Sequence, residues 1–187
     1  MMASRHGSAS LGPRIMADRI DVLIAEKDIA ARVDALAETL ARDITNDWTL
    51  VQLLQGAGPF ATDLMRALAR RDIHPILDSL WLESYRDEQV SSGRVVVRAD
   101  VSRRIEGRPA LVIDDVYDTG RTLAFACAHL LAKGATRTMT CAFIRKPSAL
   151  GLPIDHIGFD APDRYLVGYG MDDAGRYRGL PYVGALD

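Results

Sequence analysis

Apolar residues early in the chain recur at helical spacing. Ile29, Val33, Leu36, Ala37, Leu40 and Ile44 share one face of a 3.6-residue repeat. Residues 50–54 then form a short, mostly apolar run, the pattern of a buried strand. Phe60, Leu64, Ala67 and Leu68 return to helical spacing. Strands are predicted near 76–82, 95–97 and 110–113, a helix over 123–132, and a further strand over 138–144. Alternating strands and helices predict a parallel α/β sheet. The C-terminal remainder is short and contains aromatics, which suits a cover over one end of that sheet. Residues 1–19 are rich in Ser, Ala, Gly and Arg without periodicity. They are expected to be a disordered extension, with Met16 a second candidate start and residues 20–187 forming one domain.

Composition narrows the class. At 187 residues the chain is long enough for one domain with a sizeable core. A net charge of −2 gives no basic field for nucleic acid. No stretch approaches the roughly twenty apolar residues that span a bilayer. The N-terminal segment lacks the apolar core of a signal peptide, so a cytoplasmic protein with reduced Cys127 and Cys141 is expected. His6, His74, His129 and His156 have no metal-ligand spacing and read as surface or core residues.

The most informative segment is 111–123, Leu-Val-Ile-Asp-Asp-Val-Tyr-Asp-Thr-Gly-Arg-Thr-Leu. A buried strand runs into Asp114 and Asp115 at its carboxyl end, where open α/β sheets bind ligands. Alternation would send the two acids to opposite sides, against different parts of a ligand. From Asp118 to Thr122 the residues are small or polar, and Gly120 permits positive φ. A tight turn there would aim backbone N–H groups at an anion, with the next helix adding its positive end. Thr119 and Thr122 add hydroxyls and Arg121 adds charge. The bland alternative makes Asp115 or Asp118 a simple N-cap.

This segment resembles the phosphoribosyl pyrophosphate (PRPP) motif of type I phosphoribosyltransferases. The chain is most similar to the hypoxanthine-guanine phosphoribosyltransferases over about residues 20–187. The similarity also rests on Leu54-Gln55-Gly56-Ala57, Ser84-Tyr85, Arg145-Lys146-Pro147, Ile157-Gly158-Phe159 and Val167-Gly168-Tyr169-Gly170-Met171-Asp172 leading to Tyr177-Arg178. It implies the type I phosphoribosyltransferase fold, a parallel-type sheet flanked by helices with a small C-terminal hood. It further implies Mg-dependent transfer of phosphoribosyl from PRPP to hypoxanthine or guanine, in a homodimer or homotetramer. Alternatives are a xanthine or pyrimidine phosphoribosyltransferase, or a PRPP-sensing regulator without catalysis.

The same resemblance assigns roles. Asp118, Thr119, Gly120, Arg121 and Thr122 would hold the 5-phosphate, and Asp118 would be the general acid/base near purine N7. Asp114 and Asp115 would bind the ribose hydroxyls and help place Mg²⁺, although the family usually has Glu-Asp there. Lys146 would donate to the purine 6-oxygen, Tyr165 would stack on the base where Phe is frequent, and the Leu166 backbone would meet the base edge. Asp172 would position a second Mg²⁺ against pyrophosphate and lie near the exocyclic 2-position of the base, and Arg178 would pair with pyrophosphate. Gln55 and Gly56 lie in a pyrophosphate loop, often with a non-proline cis peptide, where the family commonly has Lys at the Gln55 position. Ser84 and Tyr85 would open a mobile lid.

Overall fold

The apolar runs become the middle of a six-stranded sheet in the order β4-β3-β2-β5-β6-β7. These strands are β2 (Thr49–Leu54), β3 (Ile76–Tyr85), β4 (Arg94–Ala99), β5 (Ala110–Tyr117), β6 (Thr138–Arg145) and β7 (His156–Asp160). The computed structural model describes residues 19–85 and 94–186, without the side chains of Ser84, Tyr85 and Arg94. The expected N-terminal extension (but for Arg19) and the expected lid over residues 86–93 lie outside the described residues, as do the roles expected of the Ser84 and Tyr85 side chains.

Side-chain alternation along the strands divides the core in two. Leu50, Leu111, Ile113, Cys141 and Phe143 face α1 (Glu26–Leu40) and α2 (Gly58–Ala69). Val51, Leu53, Val112 and Ala142 face α3 (Arg121–Ala132). Glu26 and Asp28 in the first turn of α1 complement its positive end, and Pro59 opens α2 where a missing N–H is harmless. Ile44, expected on the first helix, is buried just beyond its end.

Three features depart from the sequence expectation. β4 runs antiparallel to β3, since a short return next to the edge needs no crossover helix. β5 continues through the paired acids to Tyr117, because β6 pairs with it as far as Tyr117↔Arg145. The cover over the sheet is itself a three-stranded antiparallel sheet, β1-β9-β8, built from β1 (Ile20–Ile24), β8 (Tyr165–Val167) and β9 (Val183–Leu186). Its N-terminal strand was not foreseen. Among the described residues no helix is long and apolar enough to cross a membrane.

The edge strand β7 is fastened from α1. Arg32 donates through Nε to Gly158 O and through Nη2 to Ile157 O, both at 2.7 Å. Gly158 is closely packed, since an added Cβ would sit 2.3 Å from the Phe143 carbonyl oxygen. Gly158→Ala is therefore expected to destabilise the chain by about 1–3 kcal/mol. A urea titration checks this as a lower midpoint at unchanged slope.

Candidate active site

The carboxyl ends of β2, β5 and β6 open on the same side of the sheet, and the three-stranded hood brings a fourth segment over them. The β2 loop begins with a cis peptide bond between Leu54 and Gln55 and continues into Gly56. Two glycines leave room for close neighbours. A Cβ on Gly56 would lie 1.8 Å from Asp115 Oδ2, and a Cβ on Gly170 would lie 1.9 Å from Gly56 O. Only glycine at both positions lets the strand end, the loop and the hood come this close. Gly170 also has φ of 104°, a region that favours glycine.

At the end of β5 the turn is built as its residue types imply. Gly120 adopts φ 73° and is the N-cap of α3, with no side chain capping the helix. Neither Asp115 nor Asp118 is consumed as a cap. No side chain caps the first N–H groups of α3, so its positive end is open at this turn. Tyr117 is buried under this turn, and its hydroxyl donates to Pro153 O at 2.9 Å.

Asp114 and Asp115 do not separate cleanly to opposite sides. The Asp115 N–H donates to Asp114 Oδ1 at 3.0 Å, folding that carboxyl toward its neighbour. Asp114 is only 8% exposed. Burial first, then the adjacent Asp115 charge, pushes its pKa well above the ordinary carboxylate value. Among the described residues no lysine or arginine pairs with either acid.

The end of β6 is tied to β5. Lys146 N donates to Tyr117 O at 2.9 Å. Its side chain reaches the hood, with Nζ 2.6 Å from Arg164 O and 3.6 Å from an Asp163 carboxylate oxygen. The next residue in the chain is Tyr165, whose ring is 56% exposed and whose hydroxyl donates to Asp172 O at 3.1 Å. Leu166 is buried behind it. Asp172 accepts from Gly175 N at 2.7 Å and pairs with Arg178 Nη2 at 2.7 Å. Arg178 also donates through Nη1 to Gly170 O at 2.6 Å.

The expected residues thus converge through a chain of contacts from Gly56 and Asp115 to Gly170, Arg178, Asp172 and Tyr165. Gln55, Asp118, Thr119 and Arg121 stand exposed at the mouth, while Gly120 and Thr122 are half-buried. Two features were not legible beforehand. Ser148, in the 3₁₀ turn Pro147–Ala149, donates from Oγ to Asp118 Oδ1. Tyr169, at φ 48°, anchors the hood by donating its hydroxyl to Asp63 Oδ2 at 2.9 Å. Burial, then the Asp63 charge, drives the Tyr169 pKa upward. Ser148 directly follows the Lys146-Pro147 pair, the one cue that placed it near the site.

Fold and site together fit a phosphoribosyltransferase, and comparison agrees. Residues 21–173 match the phosphoribosyl transferase domain, and the chain belongs to that family. The hypoxanthine-guanine phosphoribosyltransferase of Mycobacterium tuberculosis is 35% identical over 175 residues, covering 89% of this chain and 85% of the relative. A bifunctional TilS/HprT protein of Listeria monocytogenes is 36% identical over 172 residues, covering 88% of this chain, which spans only 26% of that relative. The crystal structure of a hypoxanthine phosphoribosyltransferase from Staphylococcus aureus superposes with a TM-score of 0.81 at 30% identity, covering 89% of this chain and 91% of the other.

The buried acid generates a stability prediction. The folded-state pKa of Asp114 lies above its ordinary value of 3.8, so the folded chain holds that proton longer than the unfolded chain. Stability therefore falls as pH rises from about 4 through the raised pKa. Asp114→Asn keeps an acceptor for the Asp115 N–H and removes this titration. It is expected to be more stable than the parent near pH 8, with the gain vanishing toward pH 4. Denaturation midpoints across that range check it.

Proposed function

We propose that this chain transfers the 5-phosphoribosyl group of PRPP to a 6-oxopurine, hypoxanthine or guanine, forming IMP or GMP and pyrophosphate. The observation that carries this reading is the meeting of an anion turn and a base platform on one strand end. Lys146 is bonded through its backbone to Tyr117 at the root of the 118–122 turn, while its ammonium meets the carbonyl of Arg164, the residue just before the exposed Tyr165.

In this reading the turn at Asp118–Thr122 holds the 5-phosphate on backbone N–H groups and the start of α3. The Tyr165 ring stacks on the purine, and Lys146 donates to its 6-oxygen. That donor favours a carbonyl over the amino group of adenine, which would present a second donor to the same point. The bond from C1 to the pyrophosphate oxygen breaks while a bond from purine N9 to C1 forms. Such a displacement develops oxocarbenium-like charge on the ribose, as glycoside hydrolysis does. Asp118 takes the proton that leaves the purine ring. Arg178 turns from Asp172 to the departing pyrophosphate, where its planar fork suits two oxygens.

The acids fit Mg²⁺ as the partner cation. Asp114 and Asp115 offer hard oxygen donors and crowd their charge without a neighbouring cation among the described residues. Among the described residues no three His, Cys, Asp or Glu side chains converge as a self-sufficient metal cage. This is the arrangement expected for Mg²⁺, which binds through one or two carboxylates plus substrate phosphates and keeps several waters. When bound, the ion would neutralise pyrophosphate charge, with Asp172 a second candidate ligand.

The test is direct. Purified protein with PRPP and Mg²⁺ is expected to form nucleotide and pyrophosphate from hypoxanthine or guanine and none from adenine or uracil; xanthine turnover would widen the base class. Silence with every base despite PRPP binding would point to a sensor instead. Asp118→Asn is expected to lower turnover by roughly 10²–10⁴ while leaving PRPP affinity within a few-fold. Equal loss of both would mean that Asp118 holds substrate. Lys146→Ala is expected to cut kcat/KM for hypoxanthine by at least about tenfold relative to adenine; a preserved ratio would remove Lys146 from base selection.

A further inference from the structure

We propose that Ser148 is a positioning residue that fixes the Asp118 carboxylate for proton transfer, an inference that rests on the phosphoribosyl-transfer reading above. Ser148 Oγ donates to Asp118 Oδ1 across thirty residues of sequence. The carboxylate is available for this contact because Gly120, not Asp118, caps α3.

The serine is held in place before any ligand arrives. Pro147 fixes its own φ at the start of the 3₁₀ turn, and Ala149 is fully buried on the other side. Ala149 N donates to Lys146 O at 3.0 Å, and Lys146 N donates to Tyr117 O at 2.9 Å. The Tyr117 hydroxyl then returns to Pro153 O at 2.9 Å. The segment from Lys146 to Pro153 therefore grips the end of β5 on both sides of Ser148, and its hydroxyl cannot drift far from Asp118.

The chemical consequence follows from the shape of an aspartate. Rotation of a carboxylate about its last bond is broad and two-fold, so an exposed Asp118 alone has no fixed oxygen facing the base. A donor on Oδ1 removes that freedom and leaves Oδ2 as the proton acceptor. Ser148 lies two residues after Lys146. One short turn thus sets both the donor for the 6-oxygen and the orientation of the proton acceptor, which couples recognition of the base to its deprotonation.

Four variants test this: Ser148→Ala, Ser148→Thr, Asp118→Ala and the Ser148→Ala/Asp118→Ala pair. Each is assayed for hypoxanthine turnover and, by calorimetry with Mg²⁺, for PRPP affinity. Ser148→Ala is expected to lower kcat roughly tenfold, the scale of one hydrogen bond to a charged group. PRPP affinity should stay within about twofold, and Ser148→Thr, which keeps the hydroxyl, should recover most of kcat. In the Asp118→Ala background, Ser148→Ala should have no further effect, because no carboxylate is left to orient. An undiminished kcat in Ser148→Ala, a parallel loss of PRPP affinity, or an equal slowing in both backgrounds would each overturn the assignment. Failure of the unsubstituted protein to turn over any base would instead overturn the reading beneath it, and is seen without any variant.

Discussion

The site depends on space left open at Gly56. The Asp115 carboxylate occupies the place a side chain would take, and the Gly56 carbonyl occupies the place a side chain on Gly170 would take. A backbone stripped of Cβ atoms at both points lets β5, the β2 loop and the hood meet at van der Waals distance. The hood residues Asp172 and Arg178 come over the sheet because the loop that carries them can rest directly on Gly56. A side chain on Gly56 would displace the Asp115 carboxylate, and one on Gly170 would push the hood off the Gly56 carbonyl.

The second constraint is charge. Asp114 and Asp115 crowd together at the end of the central strand, and burial keeps Asp114 reluctant to ionise. At the hood, Asp172 and Arg178 neutralise each other. Under the proposed function the two halves of the site would suit one kind of ligand, an anion that arrives with its own cation. In the proposed function the acids below would hold a metal, and the arginine above would exchange its carboxylate for a phosphate. Stability is given up for this, because a lone buried acid beside another acid is unfavourable until something positive binds.

Tyr169 and Arg32 show how the rest of the fold supports that arrangement. Tyr169 packs on Phe143 with ring centroids 4.7 Å apart and bonds Asp63 on α2, so the hood is anchored to a helix as well as to the sheet. Arg32 secures β7, which follows the Lys146–Pro153 segment and holds its far end in register with β6.

Much of this was legible along the chain. The apolar runs located β2, β5 and β6, the helical spacings located α1 and α2, and the order of acids, glycine and threonines marked the turn that leads into α3, because each of these is a property of neighbouring residues. Resemblance singled out Lys146, Tyr165, Asp172 and Arg178 as site candidates. Tertiary structure alone decided the antiparallel β4, the pairing of β1 with β9 from opposite ends of the chain, the approach of Asp114 to Asp115, and the bond from Ser148 to Asp118. Those outcomes depend on which distant segments share a hydrogen bond or exclude water from the same acid. A local pattern of residues carries no record of that until the chain has closed on itself.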